Sequence, residues 1–348
     1  MEENDGNFCP IFPASESSVV ELDHGSGGLL SRRLLAEWIL PRLAGVGAQA
    51  DHDARSFDLP HGRLALTTDG FVVSPRFFPG GDLGRLAVYG TANDLVMALA
   101  RPRALSLALI LEEGLPLEEL GRVLDGVAAA AREVGVEVLT GDTKVVERGA
   151  GDGIYVTTAG VGERAPGSPP GPHRIRPGDA ILLSGDVARH GLAVLTVREG
   201  LGFEGLPESD CAYLGPAVEA LVEAGIEVHC LRDTTRGGLA AALHELATAA
   251  GLAFEIWQGA VAVHPAVAAA CELLGLDPLH VACEGRFLAV VPAPQAERAL
   301  GALRAVPVSS GAVQVGCVRE GDGVTLVTAS GGRRPLRPPT GRPLPRIC

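Results

Sequence analysis

Hydrophobic periodicity divides the chain into two ordered blocks, with segments between and after them where the periodicity stops. In the first block, residues 29–43, 83–99 and 117–134 place apolar side chains at helical spacing. Residues 64–68, 104–111, 136–139 and 154–161 are short apolar runs of strand length, the 136–139 run leading into a turn at 140–144. Gly135 closes the 117–134 helix as a C-cap. In the second block, 180–184, 286–291, 313–318 and 324–328 read as strands, and 188–199, 214–224, 237–250, 264–274 and 293–305 as helices. Strands alternating with helices predict an α/β (α+β) architecture in both halves.

The breaks set the domain organisation. Residues 164–178 hold Pro166, Pro169, Pro170, Pro172 and Pro177 and read as a linker. The chain therefore divides into a flexible leader (1–20), an N-terminal domain (21–163), the linker, a C-terminal α/β domain (179–330) and a flexible tail (331–348). The tail carries Arg333, Arg334, Arg337, Arg342 and Arg346 among prolines and no acidic residue. Such a segment favours polyproline II, rising about 3.1 Å per residue, so the arm spans on the order of 50 Å. It ends Pro345-Arg346-Ile347-Cys348. A thiol at the end of a stiff basic arm is badly placed to fill a core and well placed to be presented to an active site.

Composition narrows the class. A length of 348 residues suits two domains, and 47% hydrophobic residues supply a core for each. The net charge of −13 argues against a nucleic-acid binder. The acidic N-terminus lacks a signal-peptide pattern, and the apolar stretches are too short and charge-broken to span a membrane. The seven cysteines form no C-x-x-C pair, which fits reduced thiols. These features predict a cytoplasmic enzyme, with neither nucleic acid nor membrane as a partner.

One device recurs in the first block: an aspartate beside small or hydroxyl residues at a strand end or turn. It appears as Asp53 after Asp51-His52, as Asp69 in Thr67-Thr68-Asp69-Gly70, and as Asp94 in Gly90-Thr91-Ala92-Asn93-Asp94. It appears again as Asp142 in Thr140-Gly141-Asp142-Thr143-Lys144. Each alone fits a turn or cap. Gathered, they suit a magnesium–nucleotide complex, because Mg²⁺ takes hard oxygen ligands from carboxylates and phosphates. There is no Walker A sequence. The His24-Gly25-Ser26-Gly27-Gly28 turn precedes a helix and could cradle phosphates in its stead, with Asn93, Gly141, Thr143 and Lys144 at the other motifs. Arg236-Gly237-Gly238, near Asp233, is a second candidate anion site. Glu284, between a helix and an apolar strand, is a candidate general base.

These motifs, with Phe77-Phe78-Pro79-Gly80-Gly81-Asp82, Thr235-Arg236-Gly237-Gly238 and the terminal Pro-Arg-Ile-Cys, resemble the HypE family of hydrogenase maturation factors. That family sits in the AIR-synthase-like ATP-binding superfamily, and the resemblance runs over nearly the whole chain. It implies a two-domain fold whose N-terminal sheets pair across a homodimer, where ATP and Mg²⁺ bind. It implies a carbamoyl dehydratase. A carbamoyltransferase, HypF, loads Cys348, the S-carboxamide is dehydrated to S-thiocyanate with ATP, and cyanide passes to iron on a HypC–HypD complex. On this reading Asp53, Asp69, Asp94 and Asp142 hold the metal. His24, Gly27, Gly28, Asn93, Gly141 and Thr143 join them at the nucleotide. Lys144 is the cation over developing charge, Glu284 the base and Cys348 the carrier. The chain departs from the family pattern at Cys283 (usually Asn), Thr234 (usually Pro) and Arg55 (usually small or apolar). The alternative is a small-molecule kinase or cyclo-ligase of the same superfamily, which has no use for a terminal thiol. A metallochaperone using Cys348 as ligand is a third reading, but one thiol is a poor zinc site.

Overall fold

The computed structural model describes residues 28–33, 55–59, 62–164, 169–339, 344 and 346–348. The N-terminal block runs α1 (Leu29–Arg33), β1 (Arg55–Leu59), β2 (Gly62–Phe71), the short pair β3 (Phe77–Phe78) and β4 (Gly81–Asp82), and α2 (Leu83–Met97). It continues through β5 (Ala100–Glu112), α3 (Leu117–Val134), β6 (Glu137–Val146) and β7 (Ile154–Arg164). Five strands form one sheet in the order β1-β2-β7-β5-β6, antiparallel except for β5 and β6. Helix α3 makes the crossover between those two parallel strands.

The C-terminal block runs β8 (Ala180–Leu183), α4 (Arg189–Arg198), α5 (Gly215–Glu223), β9 (Cys230–Asp233), α6 (Gly238–Ala250), β10 (Ala253–Trp257) and α7 (Pro265–Leu274). It ends with β11 (Phe287–Val291), α8 (Ala296–Arg304), β12 (Val313–Arg319), β13 (Val324–Val327) and β14 (Arg333–Pro335). Its sheet has the order β14-β13-β10-β12-β8-β11-β9. Strands β8 and β11 are buried at every position, as their continuous apolar runs require for strands covered on both faces.

The long periodic segments within the described residues fold as their patterns predict, while residues 34–43 of the expected 29–43 helix lie outside the described residues. Helix α3 spans 117–134, with Glu118 and Glu119 in its first turn and Arg132 in its last, complementing the helix dipole. Gly135 caps it in the left-handed region at φ 76°, where a side chain is disfavoured. The expected turn at 140–144 is instead the middle of β6: Ser106–Glu112 of β5 pair continuously with Thr140–Val146. Strands β9 and β10 were not expected. Each has only four or five residues with a charged side chain inside, too short a signal to register as a period. The proline-rich tail also contributes a strand, β14, paired antiparallel with β13.

Helix α2 is the piece shared by both blocks. Thirteen of its fifteen residues are buried. Leu83, Leu86 and Ala87 pack into the N-terminal core with Phe71, Phe78 and Val123, while Val96 and Met97 pack with Leu214, Val218 and Phe287 of the C-terminal block. Its contact with α3 is backbone-close. A Cβ on Gly84 would lie 2.0 Å from the Val123 carbonyl oxygen, and one on Gly126 2.0 Å from Asp82 Oδ1. Asp82 in turn caps α2, its Oδ1 accepting from Arg85 N–H at 2.9 Å.

Gly84→Ala therefore forces the two helices apart. It is expected to destabilise the protein by roughly 3 kcal/mol, read as a lowered urea midpoint. A loss no larger than at an exposed helical site would show that this crossing is not tight.

Candidate functional site

The site lies where the N-terminal sheet, α2, the C-terminal block and the last residues of the chain meet. On β2, alternation puts Thr67, Asp69 and Phe71 on one face. That face lies against α2, and Gly90 permits the approach, since a Cβ there would sit 2.9 Å from the Phe71 ring. Asp94 then reaches β2: its Oδ2 accepts from Thr67 Oγ1 at 2.7 Å, and its side chain meets Asp69. Burial is the main cause that raises Asp69 above the usual carboxylate range, with Arg236, the bond to Asp94 and Arg232 pulling it back.

From the C-terminal block come Glu284, ahead of β11, and Arg236, on the exposed turn before α6. Glu284 is buried, and its Oε1 has no hydrogen-bond partner among the described residues. Burial, then Asp233, Asp210 and Asp69, push its carboxyl well above the ordinary range, against the pull of Arg236. The Arg236 guanidinium is held charged chiefly by the Cys348 group, with Asp69, Glu284 and Asp94 behind it.

The chain's own C-terminus fills the space between these groups. The carbonyls of its last three residues all accept. Arg346 O takes Ser74 N–H at 3.2 Å and Arg198 Nη2 at 2.6 Å. Ile347 O takes a His190 ring nitrogen at 2.8 Å, and Cys348 O takes Val72 N–H at 3.1 Å. The Ile347 side chain is buried in the cluster of Phe71, Val73, Phe78, Val194 and Ala282. Arg346 forms an ion pair with Asp152. The Cys348 thiol is pushed up by burial and by Glu284, offset in part by Arg236, so it is neutral.

Not every expected residue belongs to this cluster. Asp142 and Lys144 are exposed on edge strand β6, paired to each other at 3.0 Å. In the sheet order, β7 and β5 separate β6 from β2, a gap of roughly 14 Å at ordinary strand spacing. The single chain thus brings Asp69 and Asp94 together but not Asp142 with them, and no group of three His, Cys, Asp or Glu suited to a metal occurs among the described residues. Gly141 has a structural use: a Cβ would sit 2.4 Å from the Leu107 carbonyl of β5. Thr143 is its neighbour on β6. Both sides of the Asn93 amide are engaged, Nδ2 donating to Ala212 O at 3.0 Å and Oδ1 accepting from Leu214 N–H at 2.8 Å. Asn93 ties α2 to the C-terminal block and does not face the cleft as a free amide. His24, Gly27 and Asp53 lie outside the described residues. Gly28 heads α1, its carbonyl taking Arg32 N–H, while Leu29 N–H donates to Pro339 O.

Comparison with known proteins fits this arrangement. Two family descriptions match, "AIR synthase related protein, N-terminal domain" over residues 51–164 and the corresponding C-terminal domain over 176–329. Carbamoyl dehydratase HypE of Azotobacter vinelandii is 49% identical over 331 residues, covering 94% of this chain and 97% of that one. The chain belongs to the HypE family. A solved HypE in complex with ATP superposes with a TM-score of 0.80 at 44% identity, covering 95% of this chain and all of that one. HypE from a HypE–HypF complex superposes at 0.82 with 38% identity, covering 90% and 100%. Both carry the α/β two-domain architecture expected above.

The departures from the HypE pattern are locally satisfied. Cys283 is fully buried, and its Sγ accepts from Ala188 N–H at 3.2 Å. Thr234 donates its N–H to Arg286 O at 3.1 Å, a bond that proline cannot make. Arg55 begins β1, opposite Leu66. Missed from sequence were His190, Ser209 and Asp210. Asp210 bridges two distant segments, its Oδ1 accepting from His190 N–H at 2.9 Å and its Oδ2 from Gly285 N–H at 3.0 Å. The one available signal was a histidine at the start of a helix with an apolar middle.

Because its protonated form is favoured, Glu284 should remain a carboxylic acid as pH rises through the range where ordinary carboxylates ionise. Wild type should then lose stability relative to Glu284→Gln as pH rises further, since the folded state holds that proton more tightly than the unfolded chain. An infrared band of a protonated carboxyl at neutral pH, absent in Glu284→Gln and fading at alkaline pH, is the expected result. A band already gone at mildly acidic pH would contradict it.

Proposed function

We propose that this protein carries a carbamoyl group on Cys348 and dehydrates it to thiocyanate in the cleft where its own C-terminus lies. The observation that supports this reading is the seat of Cys348 beside Glu284 and Arg236, next to the Asp69–Asp94 pair. A small-molecule kinase or cyclo-ligase has no need to seat its own terminal thiol there.

An amide oxygen cannot leave as oxide. Transfer of a phosphoryl group from ATP to the carbamoyl oxygen makes it a phosphate ester of the S-imidate. Loss of the remaining N–H proton then forms the C≡N bond as the C–O bond to phosphate breaks. The products are S-thiocyanate, ADP and phosphate. Glu284 is placed to take the proton in its ionised form, which burial in the nucleotide-free cleft disfavours and rising pH restores. A carboxylate whose basicity is raised by burial is a better match to an N–H than a solvated one. Arg236 compensates the negative charge that gathers on the transferred group. Cys348 itself needs no activation in this cleft. Its neutral thiol is a poor nucleophile, so the carbamoyl group is attached while the tail is outside, by HypF acting as partner.

Mg²⁺ fits Asp69 and Asp94, two desolvated carboxylates in contact that offer hard oxygen ligands. The ion, when bound, supplies charge neutralisation at the phosphates. Asp142 and Lys144 reach the reaction through a homodimer. Strand β6 is an edge strand with Leu139 and Val145 two-thirds exposed, and an apolar edge of this kind is normally covered. Pairing the N-terminal sheets of two subunits covers it and carries the partner's carboxylate and ammonium toward the cleft. Asp53 and the His24–Gly28 turn complete the nucleotide side. The cyanide then passes to iron on the HypC–HypD complex, in the cytoplasm. No helix among the described residues is long and apolar enough to cross a membrane.

Intact-mass analysis of the protein incubated with HypF, carbamoyl phosphate and ATP should show a carbamoyl adduct that then loses one water. Cys348→Ser should show neither step. An unmodified wild-type Cys348 with continuing ATP hydrolysis would move the protein to the kinase or ligase branch.

A further inference from the structure

His190 sits at the start of α4 with its ring buried, far in sequence from every motif that marks the nucleotide site. The ring touches three things. Its plane meets Phe78 edge-on, centroids 5.2 Å apart at 86°. Its Nδ1 lies 2.9 Å from Ser209 Oγ, and its Nε2 lies 2.8 Å from Ile347 O. The His190 backbone N–H, in turn, donates to Asp210 Oδ1.

The hydrogen bonds settle the tautomer. Ile347 O can only accept, so Nε2 carries a proton. Ser209 Oγ accepts from Cys211 N–H at 3.0 Å, and its hydroxyl proton is free to be donated to Nδ1 of a neutral ring. The ring is neutral, as burial also favours.

The bond from Nε2–H fixes a carbonyl one peptide unit from Cys348. Asp210, which anchors the His190 backbone, also anchors Gly285, the residue after Glu284. The 209–212 loop is pressed against that point, since a Cβ on Gly285 would lie 1.7 Å from Asp210 O. One carboxylate thus sets the distance between the donor that holds the tail and the base that acts on its thiol group.

We propose that His190 is the positioning residue that seats the C-terminal cysteine, its Nε2–H holding the Ile347 carbonyl so that the group on Cys348 faces Glu284. The part concerning turnover rests on the dehydratase reading; the part concerning the seat does not. The test uses the full chain with His190→Phe, which keeps the ring against Phe78 but has no donor, and His190→Gln, which keeps an N–H donor of similar reach. Two readouts separate positioning from general damage: the alkylation rate of Cys348 by iodoacetamide, located by peptide mass, and kcat for dehydration against KM for ATP. In His190→Phe, alkylation should accelerate and kcat should fall by about tenfold each, the scale of one lost buried hydrogen bond, with KM for ATP unchanged. His190→Gln should restore most of both. Wild-type protection and turnover in His190→Phe would overturn the proposal, as would a His190→Gln protein no better than His190→Phe. Faster alkylation in His190→Phe, with no dehydration even by wild type, would support the seat and remove the dehydratase reading.

Discussion

Helix α2 is buried on nearly every side, so both domains must pack against it at once. Its N-terminal half is clamped to α3 by Gly84 and Gly126, and its C-terminal end is buried among side chains of the C-terminal block. Between these, Asn93 ties it to the 212–214 loop. Asp94 lies one residue further on and is delivered to Asp69 by this packing. The same loop region carries Asp210, which holds both His190 and Gly285. The clustered groups therefore come from three remote parts of the chain, yet their spacing depends on one rigid helix and the loop it braces. The construction meets the need for sub-ångström placement in catalysis with packed elements in place of mobile loops.

The cleft concentrates acid. Asp69, Asp94 and Glu284 face Arg236, with Asp233 and Asp210 beside Glu284; Arg232 also acts on Asp69 and Arg286 on Asp210. In this state, burial and mutual repulsion favour protonation of Asp69 and Glu284 and keep the Cys348 thiol neutral. A divalent cation and a phosphate chain rewrite that balance, the cation favouring ionised aspartates and the phosphates drawing on the arginine. The Arg346–Asp152 pair and the main-chain bonds of the last three residues hold the tail in place. The tail is thus recognised largely through its backbone, with Ile347 as its apolar anchor. Burying such a side chain contributes roughly 2 kcal/mol, enough to favour docking and small enough to permit release.

How much could be read from sequence varied with the kind of signal. The 117–134 helix was legible to the residue, because its period, its charged ends and its capping glycine agree. The 140–144 turn was misread, because glycine and aspartate mark turns in general, whereas Gly141 here permits close strand approach. Asp69 and Asp94 were legible as candidates because they recur in a shared small-residue context, although each alone fits a turn or cap. Asp142 and Lys144 share that context, but sheet order separates them, and no local pattern encodes sheet order. Glu284 was legible as a position, while its burial depends on loops 75 and 95 residues away. His190 and Asp210 gain meaning only once the tail is in place. The reaction itself came from the family resemblance; composition and spacing alone reach no further than a magnesium–nucleotide enzyme with a terminal thiol.

The structure places Cys348 in a cleft of its own chain, and that is the claim most open to direct test. In the proposed homodimer, co-purified heterodimers of a Cys348→Ser subunit and a Glu284→Gln subunit separate the two geometries. The only thiol then belongs to a subunit whose own cleft lacks the base, and the only base to a subunit without a thiol. If the tail acts on its own protomer, intact-mass analysis after carbamoylation and ATP addition will show the carbamoyl adduct persisting without loss of water. Recovery of thiocyanate at the rate expected for one active site per dimer would show that Cys348 crosses to the neighbouring cleft, and would contradict the arrangement described here.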